Sequence, residues 1–266
     1  MLHGSLVHQA GNHPLVASQA QLGVVLCCLG FPDQALARSS AAIAESRRLV
    51  HSPSLATSLV LAVNVLLLIG DDAALGERVD QLVAVTTEQG FPYWGAIGSV
   101  FSGWVKAKNG DATEGVSLLR NGLNAVRATG AQAVLPGLIT WLARACEVAG
   151  QVAEAVAQLD EALQIVERTG EGWFAAELNR HKGELLLRQG HSETAEELYR
   201  KALSIAEQQE AKLWELRAAV SFARLRRDQG RRAEARNLLA SVYGWFTEGF
   251  ATPDLKDAKA LLDELA

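Results

Sequence analysis

Glycines stand at positions 30, 70, 110, 150, 190 and 230, forty residues apart without a slip. A second series falls halfway between, at Gly90, Gly130 and Gly170, and Glu210 breaks it at the fourth place. Glycine accepts the left-handed backbone that ends a helix. The spacing therefore predicts repeating units of two segments, each about 20 residues long and closed by a turn.

Each first-series glycine opens an amphipathic stretch, such as GQVAEAVAQLDEAL or GHSETAEELYRKAL. Five residues after it stand Ala35, Leu75, Gly115, Ala155, Ala195 and Ala235; twelve after it stand Ala42, Leu82, Gly122, Ala162, Ala202 and Val242. Seven residues before it stand Gly23, Val63, Gly103, Ala143, Gly183 and Ala223. Small residues at three fixed places let paired helices cross closely, and the leucines mark a looser contact.

Composition agrees with helices: 49% hydrophobic residues with only 6% aromatics and six prolines describe an Ala/Leu-rich chain. The 25 Lys+Arg against 30 Asp+Glu leave a net charge of -5, which gives no field to draw in a phosphate backbone, so nucleic acid is not expected as a partner. Cys27 and Cys28 are adjacent and Cys146 is far away, which makes no disulfide framework. The most apolar stretch, 56–69, contains Asn64 and is shorter than the roughly 20 residues of a membrane span. The first residues, MLHGSLVHQAGNHP, have no basic head followed by an apolar core. The expectation is a reduced, cytoplasmic protein with no membrane partner.

This pattern of small residues resembles the tetratricopeptide repeat, whose usual unit is roughly 34 residues. The longer unit here resembles the helical-repeat region of bacterial regulators such as the maltose-regulon activator. The stretches EQGFPYWGAIGSVFSGWVKAKNGDATEG, ERTGEGWFAAELNRHKGELLLRQG and QGRRAEARNLLASVYGWFTEGFATPDLKDAKALLDEL look like the C-terminal tails of large bacterial adenylate cyclases or ATPases. The resemblance implies an all-α, right-handed superhelical solenoid of about six antiparallel helix pairs. Residues 1–266 are read as one such solenoid. In it, 1–13 are the remnant of an earlier unit's second helix, 14–251 hold the hairpins, and 252–266 form a capping helix begun by Thr252-Pro253-Asp254.

In tetratricopeptide folds the first helix of each pair lines the concave surface. That places Thr57, Leu61 and Asn64, then Val100, Phe101 and Trp104, then Thr140, Trp141 and Arg144 along a groove. Glu177, Arg180, His181, Glu184 and Arg188 follow, then Arg217, Ser221 and Arg224, so the groove turns from aromatic to charged. Tryptophan and arginine carry much of the energy at interfaces. The expected ligand or partner residues are Asn64, Phe101, Trp104, Trp141, Arg144, Arg180, His181, Glu184, Arg188 and Arg224. Trp104 and Trp141 have a second reading, as packing between units.

Catalytic patterns are missing from the sequence. Gly98 and Gly103 have phosphate-loop spacing, but Trp104 and Val105 stand where a lysine and a hydroxyl are needed. The histidines, at 3, 8, 13, 51, 181 and 191, make no metal-ligand pair, and no cofactor is expected. Cys146 has no nearby histidine and reads as buried and structural, while the arginine-rich run RLRRDQGRRAEAR reads as a solvated face. Two functions remain open. One is a non-catalytic scaffold or regulatory arm of a bacterial signalling protein, binding a peptide with an apolar segment and an acidic end. The other is a sensor of a sugar or other small metabolite. Cyclase or ATPase chemistry would belong to preceding domains absent from these residues.

Overall fold

All six prolines fall in the first turn of a helix, where a missing N–H costs nothing, and the glycines of both forty-residue series follow helix ends. The computed structural model describes residues 11–266, so residues 1–10 of the expected N-terminal remnant lie outside the described residues. Among the described residues there are thirteen helices and no strand. They are α1 (Pro14–Cys28), α2 (Pro32–Arg48), α3 (Ser52–Ile69), α4 (Asp72–Glu88), α5 (Pro92–Lys108), α6 (Ala112–Ala128) and α7 (Leu135–Val148). They continue with α8 (Val152–Thr169), α9 (Ala175–Arg188), α10 (Ser192–Gln208), α11 (Lys212–Asp228), α12 (Arg232–Tyr243) and α13 (Pro253–Glu264). Most hairpin helices run 17 or 18 residues and most links two or three, so the six residues beyond the usual repeat have gone mainly into helix length; before the 14-residue α7 and α9 the links lengthen to six and five residues instead.

The described residues form two compact units, one of residues 11–27 and 31–129, the other of residues 28–30 and 130–266. In the first, α2 packs on α3, α3 on α4, α4 on α5 and α5 on α6. In the second, α7 to α12 pack in the same sequential way and α13 lies against α11 and α12. First helices of successive hairpins also touch, α3 with α5 and α9 with α11. The small positions sit at the crossings: Ala35, Ala42, Val63, Ala143, Ala155, Ala162, Ala195, Ala202 and Ala223 are all fully buried.

Each first-series turn repeats one hydrogen bond. The residue after the glycine donates its N–H to the carbonyl five back, as in Phe31 to Leu26 (2.8 Å), Gln151 to Cys146 (2.8 Å) and Arg231 to Arg226 (2.8 Å). This is the six-to-one bond of a Schellman end. Asp71 and Asp111 then cap the next helix, accepting from the N–H of Ala74 and Glu114 at 3.1 Å.

Where the halfway series lacks glycine, the backbone keeps the same form. Val50 has φ 50° and Glu210 φ 53°. A β-branched residue there is strained, and Val50, 89% exposed, gains no packing in return. Val50→Gly relieves about 1–2 kcal/mol of left-handed strain and gives back roughly 0.5–1 in chain entropy. The expected result is a net gain of roughly 0.5–1 kcal/mol, seen as a higher urea midpoint.

α3 is the one described helix long and apolar enough to cross a membrane by length and composition. Leu59, Val63, Val65 and Leu68 on it are at most 1% exposed within the protein, which makes it the core helix of the first unit. Thr252 begins α13 without the side-chain capping bond that its position implied.

Candidate functional site

On each first helix, three places spaced four and three residues apart share a face, and the forty-residue period repeats them on the next hairpin. In the second unit these places hold Trp141 and Arg144 on α7, Glu177, His181 and Glu184 on α9, and Arg217, Ser221 and Arg224 on α11.

Glu177, only 1% exposed, is the centre of this face. It accepts from Arg144 Nη2 at 2.7 Å and from Arg180 Nε and Nη2, both at 2.7 Å, and Arg217 Nη1 lies 3.7 Å away. Arg180 also pairs with Glu184 and donates to Ser221 Oγ at 3.1 Å, and Ser221 Oγ donates to Glu184 at 3.0 Å. Arg217 pairs with Asp254 on α13 at 2.8 Å, and Arg224 with Asp257 at 2.6 Å. Burial opposes ionisation of Glu177, but the charges of Arg180, Arg217 and Arg144 prevail and hold its carboxyl far below the ordinary range.

A second cluster borders the first. His181 Nε2 lies 2.8 Å from Glu147, which also pairs with Arg188. The hydrogen bond from His181, helped by Arg188, holds Glu147 at about 2. Burial, together with the charges of Arg144 and Arg180, lowers the His181 pKa despite Glu147. The imidazole is therefore neutral at pH 7 and its proton sits on Nε2, because an ionised carboxylate only accepts. Its Nδ1 is then a buried acceptor with no hydrogen-bond partner, and Arg144 Nε a buried donor with none.

The ten expected residues fall into distinct settings. In the first unit Phe101 is fully buried and leaves the ligand set, because it presents no surface. Trp104 is 8% exposed, and Asn64, half-buried, donates to the Val60 carbonyl on its own helix. In the second unit Trp141 is 5% exposed and Arg144 lies over its ring at 5.5 Å, so its face is already used. Both indoles are thus largely enclosed, as side chains packed between helices are. Arg144, Arg180, His181 and Glu184 do come together, and Arg188 joins them through Glu147, while Arg224 is paired with Asp257.

Each of these arginines already has a carboxylate partner, although Arg188 and Arg224 keep 59% and 43% of their side chains exposed. Their partners Glu147, Asp254 and Asp257 were missed, although the sequence holds a signal for them. Opposite charges fall 33 or 37 residues apart, as in Arg144 with Glu177 and Arg217 with Asp254, one period less two turns or one. The arginine-rich run is likewise paired: Arg226 with Glu196 at 2.8 Å and Arg227 with Glu264 at 3.0 Å. Among the described residues no three His, Cys, Asp or Glu side chains converge as a metal site would require. Cys146 is buried, and none of the three cysteines is in a disulfide.

Comparison with known proteins places this arrangement. Residues 137–208 match the tetratricopeptide-repeat family model. An uncharacterised protein of Rhizobium meliloti (strain 1021) is 29% identical over 216 residues, covering 81% of this chain but 21% of that protein. The chain thus spans about a fifth of the length of the curated relative it matches. The structure of a Rap protein complexed with Competence and Sporulation Factor superposes with a TM-score of 0.65 at 12% identity, over 93% of this chain and 72% of that one. The apo form of RapI gives 0.61 at 10% identity, over 98% and 89%. TTC0263, a thermophilic TPR protein of Thermus thermophilus, gives 0.52 at 22% identity, over 77% and 98%. The fold is a tetratricopeptide-like helical solenoid. None of these matches carries the cyclase, ATPase or maltose-regulator setting that the resemblance implied.

Proposed function

We propose that the chain is a non-catalytic interaction module that holds a peptide or protein segment along the first-helix face of the second unit, centred on Arg144 and His181. The observation that carries this reading is the pair of unpartnered atoms, one donor and one acceptor, in a face whose charges are otherwise matched. A buried polar group without a partner costs about 1–3 kcal/mol, which a ligand supplying the bond recovers. Both atoms are enclosed in the unbound chain, so a ligand reaches them only when the side chains over them move aside; a peptide group then offers the complement, its carbonyl to Arg144 Nε–H and its N–H to His181 Nδ1. A carboxylate would have to compete with Glu177 for Arg144, so this reading favours main chain or amide side chains over an acidic end. The Rap protein in complex with Competence and Sporulation Factor supports the reading to the extent that a similar fold holds a bound factor. In the larger setting, the module is the regulatory arm of a bacterial signalling protein.

The test is a random peptide library presented to the full chain. Arg144→Lys keeps a cation for Glu177 but lacks the Nε–H, and His181→Phe removes the acceptor. Enriched peptides should bind each variant at least about tenfold more weakly, the worth of one buried hydrogen bond. Equal binding by both variants, or no enrichment, rejects the site.

A further inference from the structure

Trp214 is 1% exposed, yet its indole N–H has no hydrogen-bond partner. The indole nitrogen only donates, and a buried tryptophan ordinarily places that proton on an acceptor. The ring is otherwise well accommodated: Phe174 lies 5.1 Å from it and the Arg217 guanidinium stands 5.2 Å over its face. Packing therefore explains the ring and leaves the N–H unexplained.

Trp214 comes three residues before Arg217 and seven before Ser221 on α11, so it belongs to the first-helix face. Arg144 Nε on α7 and His181 Nδ1 on α9 are also unpartnered there. Asn179 Oδ1 is unpartnered as well, but two positions from His181 it points to the other side of α9. Three successive first helices of the second unit thus each hold one such atom on this face, in the order donor, acceptor, donor.

An extended backbone offers the complement along one edge, where carbonyls and N–H groups alternate. A carboxylate brings acceptors only and cannot satisfy the middle atom. The repeat gives the span. Eighty residues before Trp214 stands Val134 at the start of α7, ten before Arg144. At about 1.5 Å per residue that is roughly 15 Å along the helix direction, and the two steps from α7 to α11 add roughly 20 Å across it. The diagonal is then about 25 Å, the length of about seven or eight extended residues at roughly 3.3 Å each.

We infer that the Trp214 indole N–H is a third contact for the occupant of this face, donating to a main-chain carbonyl, and that the occupant is an uncharged extended stretch of about seven or eight residues running diagonally from the C-terminal half of α7 to the start of α11. The inference rests on the peptide-binding reading above and extends it by one residue, a direction and a length. As at Arg144 and His181, the side chains over the atom have to move aside for contact.

The experiment selects acetylated, amidated peptides from a random library on the full chain and follows the enriched ones by NMR. The Trp214 indole N–H resonance, assigned through its contacts with the Phe174 ring, should move downfield on binding, because its proton gains an acceptor. Trp214→Phe, which keeps an aromatic ring and removes the N–H, should weaken binding by about tenfold. Trimming the peptides to four residues should cost at least as much, since they no longer reach from Arg144 to Trp214. A resonance that stays in place, equal binding by Trp214→Phe, or full affinity in four residues overturns the inference. If such peptides still lose affinity with Arg144→Lys and His181→Phe, the reading of the site stands without this third contact; a library with no enriched peptide overturns both.

Discussion

Gly115→Ala is expected to lower the stability of the first unit by about 3 kcal/mol, seen as a fall in the urea midpoint. α5 and α6 cross on three glycines. A methyl group at Gly115 would lie 2.6 Å from the Ala107 nitrogen and Cβ and 2.6 Å from the Gly103 oxygen. At Gly103 it would meet the Gly115 oxygen at 2.7 Å, and at Gly122 the Ala96 oxygen at 2.8 Å. The obstacles are mostly backbone, so relief requires the two helices to separate, which loosens the packing of Val100, Leu119 and Leu123, all fully buried. Helix propensity favours the alanine by about 1 kcal/mol, and the steric cost has to exceed that gain. Gly183→Ala is the control. Its nearest neighbour is the Tyr199 ring at 2.7 Å, with backbone no nearer than 3.4 Å; the ring is only 1% exposed and has little room to turn, so a loss of about 1–2 kcal/mol is expected, below that at Gly115 because the helix backbones need not separate. Because one separation makes room for two methyl groups, Gly103→Ala with Gly115→Ala should cost less than the sum of the single changes. An unchanged midpoint for Gly115→Ala would mean that α5 and α6 do not approach this closely.

Those crossings were legible because they depend on residues at fixed sequence intervals, and three series of small side chains leave few ways to pair the helices. The turns at Val50 and Glu210 were less so. At Glu210 the glycine series breaks, yet φ is 53° there because the helices on either side fix the turn whatever residue occupies it. For the candidate site, the sequence located the face but not its state. The forty-residue period puts Arg144, Glu184 and Arg224 at the same place on successive first helices; whether each is open depends on Glu177, Ser221 and Asp257 in a following hairpin or on α13. Burial of Phe101 likewise follows from what the neighbouring helix brings against it, which its own helix does not encode.

Loss of Glu177 should have the second large effect, because it would strand guanidinium groups where water cannot reach them. Arg180 is 8% exposed, and the carboxylate it would lose is also the partner of Arg144 and a neighbour of Arg217. Breaking a buried pair from one side costs about 3–5 kcal/mol, whereas replacing both partners by apolar groups of similar volume costs much less. Glu177→Ala is therefore expected to cost about 3–5 kcal/mol, and Glu177→Met with Arg180→Met less than Glu177→Ala alone. Acid should act on the same network in two stages. The folded state holds His181 below its ordinary pKa, so as pH falls below about 6.5 the unfolded chain takes up a proton that the folded chain refuses, and stability declines. Glu177 and Glu147 are depressed as well, so their contribution is full above about pH 4.5 and is lost as pH falls further, with Glu147 protonating near 2 in the folded chain. In urea titrations across pH, His181→Gln should flatten the first stage and leave the second. A variant with both stages intact would remove His181 as the source of the first, and a stable Glu177→Ala would mean that the three arginines do not depend on this carboxylate.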